Sequence, residues 1–263
     1  MPARITAFLF DLGDTLWHFP DMPPMEKIDD EMTNRFVRLL KVWDISKVDD
    51  PDVITAYIRS EIQNETRKAS LTDCISPNYG EVCKEAANRR GVEITSDQGE
   101  ELWQSWNLGG KFLGRRLFPD SLDLLYWLRD HGYRLGCVTN RGYGGRRFQD
   151  EMQEDGLDEL FEVVSVSADI GYLKPHPRIF VHAMEEMGLT PQETVMVGDS
   201  LRADVGGSKA LGMVAIWRKL SSNEVTSGPP RYPDQVLGET IPEPDFTVDS
   251  MADIKNLSIF SDA

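Results

Sequence analysis

The chain has 263 residues, 40% of them hydrophobic and 27% charged, a globular mixture long enough for a main domain and a smaller companion. With 44 acidic against 28 basic side chains, its formal charge is -16 at pH 7, which disfavours nucleic acid and anionic membrane surfaces as partners. No stretch nears the roughly 20 apolar residues that span a bilayer, and the apolar run at 5–10 is too short for a leader, so a cytoplasmic location is expected. Cys74, Cys83 and Cys137 match neither a zinc-like nor a CxxC spacing, and free thiols are expected.

The first element is the apolar run 5–10, which stops at Asp11. Short continuous apolar runs bounded by turn signals read as buried strands of a parallel sheet. Residues 17–113 have another character, with helical patterns over 26–42, 52–66, 79–90 and 96–106 separated by Pro- and Asp-rich turns. Apolar residues such as Met32, Phe36 and Trp43 fit helix spacing and read as core. Beyond them come a helix over 120–131, a strand over 135–138 ending at Thr139, and helices over 144–154 and 176–187. A strand over 195–198 then ends at Asp199, followed by a helix over 203–211. Residues 221–244, rich in Pro, Gly and Ser, read as a long surface loop, and 246–248 as a closing edge strand. The alternation predicts an α/β fold: a Rossmann-like, doubly wound parallel sheet core from residues 1–16 and 114–263, with a smaller, mostly α-helical cap domain from residues 17–113.

Open sheets of this kind bind ligands at the carboxyl ends of their strands. Asp11, Thr139 and Asp199 are therefore expected to converge in one anionic cleft with a hydroxyl beside it. Strands also end in Asp or Thr because these residues favour turns and helix N-caps. That explanation suffices for one strand end and weakens when three must coincide.

Four motifs in this order and setting resemble those of the haloacid dehalogenase superfamily. The first, Phe10-Asp11-Leu12-Gly13-Asp14-Thr15-Leu16, resembles DxDGT. The resemblance makes Asp11 a nucleophile that splits one difficult displacement into two easier ones through an acyl-phosphate. The second is Thr139, followed by Asn140, whose hydroxyl the family aims at the transferring phosphoryl group. The third is Lys174 in Lys174-Pro175-His176-Pro177-Arg178-Ile179-Phe180, similar to KPxPxIF, whose ammonium offsets the charge of nucleophile and phosphate. The fourth, Gly198-Asp199-Ser200-Leu201-Arg202-Ala203-Asp204, matches GDxxxxD and implies Mg2+. The implied metal set is Asp11, the backbone carbonyl of Gly13, Asp199 and Asp204, with Asp204 acting through water or holding Lys174 in place. The implied substrate-binding set is Thr139, Asn140, Arg141 and Lys174, although Arg141 also reads as a solvated surface charge. A small phosphorylated molecule is the expected partner.

One position departs from the family. Its phosphatases carry a second Asp two residues after the nucleophile, as general acid and base; here that position is Gly13. Such catalysis is typically worth roughly 10²–10⁴-fold. Asp14 reads either as a substitute acid or as a plain turn residue. Cleavage of a carbon–halogen bond is disfavoured because dehalogenases of the family lack the Asp199/Asp204 pair. Cleavage of a carbon–phosphorus bond would need a cap lysine, and nothing singles out Lys27, Lys41 or Lys47. A phosphate-binding regulator without catalysis is the remaining alternative. His176 and His182 lack partners at zinc-like spacing, and His18 reads as structural.

Overall fold

The structure is a computed structural model that describes residues 4–221, 240 and 242–260. The expected loop at 221–244 lies almost wholly outside the described residues. No helix among them is long and apolar enough to cross a membrane.

The core is a six-stranded sheet in the order β5-β4-β1-β6-β7-β8, parallel throughout. Its strands are β1 (Ala7–Phe10), β4 (Arg134–Thr139), β5 (Val163–Val166), β6 (Thr194–Gly198), β7 (Val214–Arg218) and β8 (Phe246–Val248). Side chains alternate between the faces, as strand geometry requires. Phe8, Phe10, Leu135, Cys137, Val195 and Val197 join one apolar cluster, while Ala7, Leu9, Val138 and Met196 join another on the opposite face. Both faces are thus buried, which is why these strands read as unbroken apolar runs.

Helices cover the two faces. On one side lies α5 (Ser121–Asp130); α6 (Gly145–Glu154) adds Phe148 and Met152 to the same cluster. Opposite, α8 (Pro177–Met187) packs Ile179, Phe180, Ala183, Met184 and Met187 against the sheet. It starts with Pro177 in its first turn, where a missing N–H costs nothing, and ends at Gly188 with φ 62. Between β5 and α8 sits one short helical turn, α7 (Ser167–Ile170).

Four helices lie in the segment between β1 and α5: α1 (Met25–Val42), α2 (Pro51–Leu71), α3 (Tyr79–Arg89) and α4 (Ser96–Ser105). Ile28, Met32, Phe36 and Leu40 recur every fourth residue on α1, and with Ile54, Ile58 and Leu102 they build a separate apolar cluster. Local signals set the starts: Asp50 caps α2 through the Val53 N–H, Asn78 caps α3 through the Glu81 N–H, and Thr95 with Gln98 forms a capping box on α4. The second helix runs five residues beyond the expected 66.

Three features differ from the sequence reading. A two-stranded antiparallel ribbon, β2 (Trp17–His18) with β3 (Arg116–Leu117), stands where the chain leaves and re-enters the core, and Trp17 is fully buried in the core cluster. Strands β5 and β7 were not anticipated. Instead of a regular helix over 203–211, residues Leu201–Gly206 form a π-helical turn that runs into a short α9 (Gly207–Ala210).

Candidate active site

Chain order and sheet order part company at β1. After β5 the chain crosses to the other side of β1 to lay down β6, so β1 has β4 on one flank and β6 on the other. Ligand crevices form at such switch points, beyond the carboxyl ends of the strands. Phe10 is in register with Cys137 of β4 and Val197 of β6. Asp11 follows Phe10 directly, Thr139 and Asp199 follow Cys137 and Val197 two residues on, and all three line one cleft of about 400 Å³.

At the base of the cleft lies a buried charge cluster. The Lys174 ammonium spends its three donors on the Asp11 Oδ1 at 2.6 Å, the Asp204 Oδ1 at 2.7 Å and the Val138 carbonyl at 2.8 Å. Burial would lower its pKa, but the Asp11 and Asp204 carboxylates outweigh that and hold it above its ordinary value. Burial pushes the Asp204 carboxyl up; Lys174 pulls it partly back and Asp11 adds to the rise. Lys174 is therefore an ammonium held by two carboxylates.

Asp204 is aimed at this cluster by the π-helical turn. Both the Asp204 and Val205 N–H groups donate to the Ser200 carbonyl, at 3.0 and 3.2 Å. Wide turns of this kind occur often at functional sites. The turn folds Asp204 back over the end of β6, where its Oδ2 accepts from the Ser200 N–H at 3.0 Å. Gly198 makes room for it: a Cβ there would lie 2.2 Å from the Asp204 Cγ. Gly198→Ala is expected to displace Asp204 and cost about 1–3 kcal/mol by overpacking. The denaturant midpoint checks this, and a midpoint equal to wild type would show that Asp204 has room to spare.

Carboxylate oxygens of Asp11, Asp199 and Asp204 lie within 4.8 Å of one another. This oxygen-only set suits a hard divalent cation such as magnesium. Asp204 already has one oxygen on Lys174 and the other on a backbone N–H, which fits an outer ligand better than a direct one. Thr15 helps to orient Asp199 through a 3.3 Å hydrogen bond to its Oδ1. Gly13 lines the cleft as well.

Asp14 also lines the cleft, 5% exposed, on a left-handed backbone with φ 57. Non-glycine residues adopt that conformation uncommonly, Asp among the more tolerant of them. Thr139, at the end of β4, is buried and faces the same space.

Asn140 and Arg141, the residues after Thr139, also line the cleft, and each has a tie of its own. The Asn140 amide is spent on the backbone of Lys174: its Oδ1 accepts the Lys174 N–H at 2.7 Å and its Nδ2 donates to the Lys174 carbonyl at 3.1 Å. It ties β4 to the Lys174 segment. Arg141 lines the cleft, but its guanidinium lies 4.7 Å from the Trp17 ring and donates to the Tyr143 hydroxyl at 3.0 Å. The Asn140–Lys174 and Arg141–Trp17 contacts have no local sequence signal, because their partners are distant in the chain.

Of the three residues after the first motif, Phe19 reaches the cleft and His18 stacks on Phe118 at 4.2 Å. Lys27, Lys41 and Lys47 are exposed and none lines the cleft. His182 accepts or donates at Ser165, 2.8 Å away. Cys137 is buried in the sheet, and none of the three cysteines forms a disulfide. The helical segment touches the core close to the site: Ile75 bridges Tyr172, the Leu173 N–H donates to the Cys74 carbonyl at 2.7 Å, and the Trp103 indole donates to the Gly142 carbonyl at 2.8 Å.

Comparison with known proteins agrees with this architecture. The family model for haloacid dehalogenase-like hydrolase matches residues 5–212, and a second, HAD-hydrolase-like model matches residues 172–254. A curated relative from Methanopyrus kandleri, glyceraldehyde 3-phosphate phosphatase, is 27% identical over 93% of both chains. The crystal structure of a HAD phosphatase from Thermococcus onnurineus aligns over 96% of this chain and 97% of its own, with TM-score 0.56 and 25% identity. A 2-haloacid dehalogenase from Pseudomonas syringae pv. Tomato aligns over 98% and 99%, with TM-score 0.60 and 21% identity, a likeness of fold alone. With the model covering most of its length, the chain belongs to the haloacid dehalogenase-like hydrolase family.

Proposed function

We propose that the protein is a magnesium-dependent phosphatase that releases phosphate from a small organic phosphomonoester through an aspartyl-phosphate on Asp11. The observation that carries this reading is the buried Asp11–Lys174–Asp204 cluster beside Asp199, which joins a carboxylate nucleophile, a fixed cation and an oxygen-only ligand set in one cleft. The phosphatase relatives support it. Helices α1–α4 act as a cap, with residues 17–113 as the cap domain and 1–16 and 114–263 as the core.

In the first step an Asp11 carboxylate oxygen attacks phosphorus in line and the leaving oxygen departs opposite. Thr139 donates to one equatorial oxygen, while Lys174 holds the Asp11 carboxyl group in place and offsets charge at its base. Asp11, the Gly13 carbonyl and Asp199 would hold magnesium, with Asp204 reaching it through water. When bound, the ion supplies charge stabilisation for nucleophile and phosphoryl group held together. In the second step water attacks the acyl-phosphate. Asp14 donates a proton to the leaving oxygen and then takes one from that water, in place of the acid missing at Gly13. The cap excludes bulk water and selects the leaving group.

The test compares wild type with Asp14→Asn on an aryl and an alkyl phosphate, with magnesium and with chelator. Wild type is expected to release phosphate only with magnesium. An alkyl leaving group needs a proton and an aryl one needs little, so Asp14→Asn is expected to lose about 10²–10⁴-fold on the alkyl substrate and far less on the aryl one. Equal rates for both proteins on both substrates would make Asp14 a turn residue. No release by wild type from a broad panel of phosphomonoesters would end the phosphatase reading.

A further inference from the structure

The end of β7 carries two donors that the scheme above does not use. Trp217 is in register with Gly198, and its indole N–H donates to the Asp199 carbonyl at 2.8 Å. The next residue, Arg218, points to the opposite side of the strand. Only 1% exposed, it donates from Nη1 to the Asp14 carbonyl at 3.0 Å and lies 3.8 Å from the centre of the Phe118 ring. Two adjacent residues thus grip the backbones of the two acids that flank Asp11 in the cleft.

The placement of Arg218 calls for a reason. Burying a guanidinium is costly, and an apolar side chain would fill the end of a core strand without that cost. Its acceptor is the carbonyl of a residue in the left-handed region, φ 57, which an L side chain holds only when its surroundings fix it. The Asp14 N–H is held from the other side by the Trp17 carbonyl at 2.6 Å. With both backbone groups anchored, the direction in which Asp14 leaves the main chain is set. Asp199 is held in the same way, by Trp217 at its carbonyl and Thr15 at its carboxylate.

We propose that Trp217 and Arg218 are a pair of positioning residues that divide the work at the site. Trp217 sets Asp199 for the metal, and Arg218 sets Asp14 for proton transfer to the leaving group. The inference rests on the phosphatase reading above. It predicts separable defects, because each donor acts on a different acid.

The experiment uses the full chain with Trp217→Phe, Arg218→Met and Arg218→Lys. kcat and KM are measured on an aryl and an alkyl phosphate over a magnesium series, and magnesium chloride binding is measured by calorimetry without substrate. Misplacement of a reacting group by about 1 Å can cost around 10²-fold, and loss of an outer partner of a metal ligand typically costs roughly 10–100-fold in affinity. Arg218→Met is therefore expected to lower kcat on the alkyl substrate at least about tenfold more than on the aryl one, with Arg218→Lys recovering part of the loss. Trp217→Phe keeps the ring and removes the donor; it is expected to weaken magnesium binding about tenfold while leaving the alkyl-to-aryl ratio unchanged.

Equal losses on both substrates for Arg218→Met, or unchanged magnesium binding for Trp217→Phe, would reduce the corresponding residue to a structural role and overturn the division. Where Arg218→Met does not fold, the ratio for Arg218→Lys decides, an unchanged ratio counting against the proposal. A wild type inactive on both substrates would sink the phosphatase reading and the Arg218 half with it, whereas calorimetry would still judge Trp217.

Discussion

Asp11→Asn is expected to lower magnesium-dependent phosphate release by at least about a thousandfold, the scale on which enzymes lose activity when a nucleophile is removed, without unfolding the protein. An amide of the same shape cannot attack phosphorus as a carboxylate does, and neither Asp14 nor Asp199 shares Asp11's place at the end of β1 between β4 and β6. Stability should respond differently. Three carboxylates lie within 4.8 Å of one another against one ammonium, so removing one negative charge relieves repulsion while the amide oxygen can still accept from Lys174. A change within about 1 kcal/mol is expected, the net worth of one hydrogen bond. Rates on an aryl phosphate and urea midpoints check both parts. Retained turnover in a folded Asp11→Asn protein would remove Asp11 from the mechanism.

Lys174→Met has the opposite profile, with a large loss of stability as well as activity. The ammonium is 3% exposed and is the shared partner of Asp11 and Asp204. Breaking a buried ion pair by deleting one partner costs about 3–5 kcal/mol, because the other charge stays buried without compensation. Here two carboxylates and the Val138 carbonyl lose their donor together. If the penalty is electrostatic, magnesium should restore part of it, since a ligand that binds only the folded state stabilises by mass action. Urea unfolding with magnesium and with chelator separates the contributions. A variant as stable as wild type in chelator would show that Lys174 is not the counter-charge of the cluster. Destabilisation unaffected by magnesium would point instead to a packing defect.

Both predictions concern residues that a reader of the sequence can find, for a physical reason. Asp11, Thr139 and Asp199 each end an apolar strand, and in a parallel sheet the polar residue after a buried run must emerge at the carboxyl edge. Their convergence follows once the three strands are neighbours. The α1 helix was legible because Ile28, Met32, Phe36 and Leu40 repeat at helical spacing, and the starts expected at 52, 79 and 96 lie within one residue of those of α2, α3 and α4, which Asp50, Asn78 and Thr95 cap. Those signals are local, so one sequence suffices to read them.

Other features required the tertiary structure. Strands β5 and β7 match β1 and β6 in length, but neither leads into a motif that marks it, and periodicity does not distinguish a brief apolar stretch in a buried strand from one in a buried helix. The ribbon of β2 and β3 joins residues about a hundred positions apart, through two pairs only. The π-helical turn depends on Asp204 finding Lys174 and the Ser200 N–H, and on the space that Gly198 leaves. Asn140 and Arg141 follow Thr139 directly and line the cleft with it, but only the fold shows that Asn140 is tied to the Lys174 backbone and that Arg141 lies beside Trp17. The sequence by itself determined the family, the strand ends and the acidic character of the cleft, because each is written in adjacent residues. Which acid is anchored by which distant donor, as with Arg218 at Asp14 and Trp217 at Asp199, was decided only by the tertiary structure, because a long-range hydrogen bond leaves no mark at the residue that accepts it.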